Sequence, residues 1–378
     1  MGTLGRTGPR PGATLVVLLL VLVTSVTGLA GCGAGQADRG GGASGSLAAH
    51  DPAAAFLAAY VEPDGRVVRR DQGGDTVSEG QAYAMLVAVA SGDDATFRRV
   101  WAWTREHLAR PDGTLSWRWA DGAVVDPSSA SDADLDAARA LVLAGPRLGD
   151  LDLLADGLRL GQAVLDVETV ETAAGRVLTA GSWTTTDPWA YNPSYSSPAA
   201  YTVLGRASGD SRWADLAAGG RTVDSALLGA VALPPDWAQV RADGQVDPMP
   251  GAAGHGGQGV RYGYDATRFP LRYAESCAPE DRALAARLVA PLQQSPGSAA
   301  ERDLGGKPLT ADRSVVGLAG EAAALAAAGN AVGARDRLAA AATLQQEHPT
   351  YFGGAWAALG PAFLSGTTLG GCTTLPPA

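Results

Sequence analysis

The chain has 378 residues, 46% of them hydrophobic, with 39 acidic side chains against 29 Lys and Arg and a formal net charge of −10. That length and apolar content support a large buried core and exclude a chain that stays disordered. The acidic balance excludes a nucleic-acid partner, whose phosphates need clustered Lys and Arg, and leaves a neutral or weakly charged substrate as the better fit.

At the N-terminus, Arg6 and Arg10 precede the apolar run "LVVLLLVLV" (residues 15–23). It is too short and too early for a membrane span and suits a secretory signal. The following "LAGC" (residues 29–32) resembles the lipobox of bacterial lipoproteins, where the peptide is cut before the cysteine and the cysteine is acylated. An ordinary signal peptide cut at a small-residue site is the alternative. The lipobox implies a leader of residues 1–31, lipid on Cys32, and an exported protein held at the membrane surface. Each buried methylene of such a lipid adds roughly 0.8 kcal/mol. Residues 32–50 are Gly/Ser-rich and read as a flexible tether, and residues 51–378 show no second linker.

From Asp51 onward, alanine-rich apolar segments recur at helical spacing between Gly, Pro and Asp turns. They fall at residues 52–61, 80–90, 95–108, 132–145, 197–208, 212–228, 280–294, 314–329, 334–346 and 351–366. About ten to twelve helices are expected, with only "GRVLTAGSWT" (residues 175–184) resembling a hairpin. Small residues on both faces suit helices packed between other helices, so one large all-α domain is expected, a monomer by default.

Three acid clusters sit in this frame. In "TVSEGQAYAML" (residues 76–86), Thr76 with Glu79 and Ser78 with Gln81 both have capping-box spacing, so Glu79 reads either as a helix cap or as a proton donor. In "SASDADLDAARAL", Asp132, Asp134 and Asp136 open a helix that Ser131 can cap, where the helix dipole also favours acids. In "RYGYDATRFPLRYAESC", Asp265 stands beside Tyr264 and three residues before Arg268, which fits a structural ion pair as well as a site. Loop tryptophans (Trp117, Trp119, Trp183, Trp189, Trp237) lie near Asp, Asn and Tyr. As a set they suit a carbohydrate cleft, where rings stack on the apolar faces of sugars; taken singly, each suits a core. Cys277 and Cys372 remain once Cys32 is set aside, and export favours a bridge between them over two buried thiols. The histidines His50, His107, His255 and His348 are scattered without zinc-ligand spacing, and neither metal nor cofactor is expected.

Six stretches, "VSEGQAYAMLVAVASGD", "SASDADLDAARALVLA", "YNPSYSSPAAY", "LPPDW", "YDATRFPLR" and "WAALGPAFLSG", resemble in order the successive motifs of glycoside hydrolase family 8. The resemblance runs from about Phe56 to Gly366. It implies an (α/α)₆ barrel of six inner and six outer helices, and inverting endo-hydrolysis of β-1,4-glucan. Xylan or chitosan hydrolysis within the family, or a non-catalytic glycan-binding lipoprotein, are the alternatives. Carried over by position, Glu79 is the general acid, Asp265 the general base and Asp132 the acid that holds the distorted sugar. Arg268, Tyr195, Tyr264 and Trp117 are substrate-binding residues, with Arg268 orienting the base region. The chemistry asks that desolvation and Asp132 raise the proton affinity of Glu79, and that Arg268 keep Asp265 ionised. Leu271 stands where the family has Trp, which puts local packing or a subsite in question.

Overall fold

A computed structural model describes residues 51–252, 259–294 and 299–376. The leader, Cys32, the tether, His50 and His255 lie outside the described residues.

Helix starts and stops follow local chemistry. Asp51 caps the first helix by accepting from the Ala53 amide, with Pro52 pre-set at its first position. Gly92 and Gly149 end two others at φ +75° and +63°, a conformation that costs glycine nothing. Among the described residues the helices are α1 (Pro52–Tyr60), α2 (Ser78–Ser91), α3 (Asp94–Leu108), α4 (Ser131–Leu148), α5 (Leu151–Val167), α6 (Pro198–Ser208), α7 (Arg212–Ala230), α8 (Phe269–Ala274), α9 (Pro279–Arg287), α10 (Val289–Gln293), α11 (Val315–Ala327), α12 (Ala331–Glu347) and α13 (Tyr351–Ser365). The expected 280–294 helix is therefore broken into α9 and α10, where Leu288 separates them.

Burial sorts these helices into two rings. α2, α4, α6, α8, α11 and α13 are buried nearly all round. Each packs on the next, and α13 returns to α2, so the inner ring closes. α1, α3, α5, α7, α9 and α12 pack outside it. On α3, for example, only Phe97, Val100, Trp101, Thr104 and Leu108, with Thr96 and Trp103, turn inward. The molecule is thus an (α/α)₆ barrel, with α10 a short addition. Small inner residues permit this packing: a side chain on Gly157 of α5 would meet Leu141 and Val142 of α4 at 2.8 Å. Leu271 is fully buried in the main core, so the departure from Trp affects packing and not the cleft.

The strands are few and short. β1 (Thr76–Val77), β2 (Arg118–Ala120) and β3 (Ala123–Asp126) form one antiparallel sheet. β4 (Thr169–Thr172) pairs with β5 (Gly175–Leu178). β6 (Trp189–Tyr191), β7 (Trp237–Val240) and β8 (Val246–Met249) form the third. The expected hairpin at 175–184 is corrected: residues 175–178 are its second strand, and its first lies upstream at 169–172. The structure also bridges Cys277 to Cys372, with an S–S distance of 2.09 Å.

Candidate active site

Glu79 and Asp132 are each the second residue of an inner helix, α2 and α4. Asp265 precedes and Arg268 ends a 3₁₀ turn (Ala266–Arg268) that leads into α8, and Tyr195 ends another (Pro193–Tyr195) shortly before α6. One cleft of about 720 Å³ collects Glu79, Asp132, Tyr195, Tyr264 and Asp265 over these helix starts. The starts carry partial positive charge, which favours the carboxylates.

Neither capping box forms, because tertiary partners take the side chains. The Thr76 hydroxyl donates to the Val67 carbonyl. Gln81 donates to Thr104 Oγ1 at 2.8 Å and accepts from the Val67 amide. Ser131 likewise does not cap α4; its hydroxyl donates to the Thr179 carbonyl at 2.6 Å. Glu79 is thereby left free of backbone duties and faces the cleft.

Arg268 is the hub of the site. Its side chain is 1% exposed. Nη1 donates to Glu79 Oε1 and, at 2.8 Å, to Asp132 Oδ2; Nη2 donates to Asp265 Oδ1 at 2.7 Å. One guanidinium therefore gathers three acids that lie up to 189 residues from it in the chain. Two hydrogen bonds and the width of the fork bound the separation of Glu79 Oε1 from Asp265 Oδ1 at roughly 8 Å, compatible with the roughly 6.5–9.5 Å of an inverting pair. Arg268 also lies over the Tyr195 ring, 5.3 Å from its centroid. Two residues were not singled out in the sequence. Tyr83, one turn after Glu79, donates to Glu79 Oε1 at 2.6 Å and accepts from Arg268. Asp236 of "LPPDW" lines the cleft beside Asp265.

Burial pushes the Asp132 carboxyl up to about 7, against the attraction of Arg268. It does the same to Asp265, also to about 7, with Arg268 opposing and Asp236 and Glu79 adding to the rise. Arg268 does favour the ionised form of Asp265, as expected, and desolvation outweighs it. The Asp265 side chain keeps 32% of its surface exposed, and it lines the cleft.

The three acids of "SDADLD" separate by helix face. Asp132 points into the cleft. Asp136, one turn on, receives two bonds from the buried Arg272, at 2.8 and 2.5 Å. Asp134 turns away to accept from the Leu115 amide and lies against Glu168, and burial raises the proton affinity of both. The cleft walls carry Trp117, Trp183, Trp237 and Tyr264, with Tyr264 46% exposed. Trp119 packs edge-on to Trp103, and Trp189 lies against the small core behind β6. The aromatic set is therefore part cleft, part core.

The family model for glycosyl hydrolases family 8 matches residues 44–355, and the chain belongs to that family. A probable endoglucanase of Novacetimonas hansenii is 36% identical over 228 residues, 58% of this chain and 65% of the relative. An endoglucanase of Cellulomonas uda is 29% identical over 57% of this chain and 60% of its own. The chain thus spans under two thirds of the length of these relatives. The solved endo-β-1,4-glucanase CMCax of Acetobacter xylinum superposes with a TM-score of 0.68 at 28% identity, covering 82% of this chain and 96% of that one.

Proposed function

We propose that the protein is an inverting endo-β-1,4-glucanase, exported and lipid-anchored through Cys32, acting as a monomer on cellulose or mixed-linkage β-glucan. The observation that carries this reading is the Arg268 hub, which holds Glu79, Asp132 and Asp265 in one aromatic-walled cleft. In the reaction, Glu79 gives its proton to the leaving glycosidic oxygen as the C1–O4 bond breaks. Water attacks C1 from the opposite face and loses a proton to Asp265. Asp132, on the Glu79 side of the hub, faces the hydroxyls of the distorted sugar. Stacking on Trp117 and Tyr264 holds the chain through its apolar faces.

Among the described residues, five carboxylates line the cleft against one lining arginine, Arg261. That favours chitosan hydrolysis as the second reading. Arg268 and Arg261 offset two of these charges, and burial that holds Asp132 and Asp265 partly protonated reduces the rest, which supports a neutral glucan. Reducing-sugar release from carboxymethylcellulose, barley β-glucan, xylan and chitosan separates the two. Release from the glucans is expected, and release from chitosan alone would overturn the glucan assignment.

A further inference from the structure

Asp236 precedes β7 and bonds the segment that carries Asp265 through its amide and both carboxylate oxygens. Its amide donates to the Arg261 carbonyl at 2.8 Å. Its Oδ1 accepts from the amides of Gly263 and Ala266, both at 2.9 Å, and these two amides bracket Asp265. Its Oδ2 accepts from Arg261 Nε at 3.3 Å. The approach to Gly263 is so close that a methyl group there would collide with Asp236 Oδ2. A glycine at 263 is thus required by the carboxylate, and the carboxylate holds the backbone from 261 to 266 in one conformation.

We propose that Asp236 is a positioning residue for Asp265, clamping the turn on both sides of the base and setting a second negative charge beside it. The proposal rests on the reading of Asp265 as general base. A carboxylate accepting two backbone amides is a strong, directional restraint, and a base misplaced by about 1 Å costs roughly a hundredfold in rate. The neighbouring charge acts separately. The groups that face Asp265 are Arg268, Glu79, Tyr195 and Asp236, with Asp132 across the hub and Arg261 behind Asp236. Of the acids among them, Asp236 is the one that bonds the base's own turn.

Two variants separate clamp from charge. Asp236→Asn keeps the Oδ1 acceptor for both amides and removes the charge together with the Oδ2 acceptor of Arg261. The acid limb of its kcat/KM profile should move to lower pH by about 0.5–1 unit, whatever the plateau rate. Gly263→Ala keeps the charge and breaks the clamp. It should lower kcat at least tenfold with KM little changed, while circular dichroism stays native. A purely structural role would alter melting temperature in both variants and leave the acid limb in place. An unshifted limb in Asp236→Asn, or an undiminished kcat in Gly263→Ala, overturns the proposal. A carbon-13 titration of the Asp265 carboxyl, assigned with Asp265→Asn, gives the same shift without turnover. If wild type hydrolyses no glucan, the functional reading fails while this titration still decides whether Asp236 acts on Asp265.

Discussion

Asp224 on α7 is fully enclosed and accepts from the hydroxyls of Tyr191, at 2.7 Å, and Tyr273. Burial pushes its carboxyl from the ordinary 3.8 up to about 7, with the hydrogen bonds from Tyr273, Tyr191 and Ser196 opposing the rise. Because the folded value lies above the unfolded one, the folded state holds a proton that the unfolded chain releases. The resulting stabilisation is complete below about pH 4, shrinks as pH rises, and is gone above about pH 7. Between about pH 5 and pH 8 the linkage relation gives a loss of about 2.7 kcal/mol. At roughly 2 cal/mol/K per residue of unfolding entropy, that is about 4 °C in Tm for a barrel of this size. Asp224→Asn preserves the shape, can accept from one tyrosine and donate to the other, and does not titrate. Thermal unfolding of both proteins by circular dichroism at the two pH values is the assay. Asp132, Asp265 and Glu168 shift in the same direction but are common to both, so the difference isolates Asp224. The wild-type protein should lose about 4 °C more than the variant; parallel behaviour would refute the reasoning.

Glucan hydrolysis should rise with pH through a midpoint near 7 and level off above about pH 8, since Asp265 is pushed up to about 7 and must be ionised to take a proton from water. A pH profile of kcat/KM with an acid limb near 4 would show that burial does not control this base. The Cys277–Cys372 bridge spans 95 residues. Substituting both cysteines by serine should lower stability in urea by up to about 4–5 kcal/mol in the chain-entropy model, and an unchanged midpoint would remove the bridge from the account of stability.

The helical frame was legible because alanine-rich inner helices and one-sided outer ones leave distinct periodicities, as in α11 and α3. Strands of two to four residues, such as Thr76–Val77, leave no alternation to read, and the "TVET" strand of the 169–178 hairpin carries charge and threonine in place of an apolar run. The capping-box reading failed because spacing along the chain cannot reveal that Val67 and Thr104 capture Thr76 and Gln81. Glu79, Asp132 and Asp265 were each visible as motifs. That one buried arginine joins them, and that Asp134 and Asp136 serve the core instead, depends on contacts across more than a hundred residues of chain, such as Arg268 to Asp132 and Arg272 to Asp136. Asp236 was hidden for a different reason: its Oδ1 accepts from the backbone amides of Gly263 and Ala266, which no side-chain pattern announces.

The most direct test follows the anomeric form of the sugar released from a β-1,4-glucan by proton NMR, for wild type, Glu79→Gln and Asp265→Asn. Wild type is expected to release the α-anomer first, and each substitution to cut the rate by at least a hundredfold with the fold intact by circular dichroism. Initial release of the β-anomer, or full activity in either variant, would contradict this mechanism.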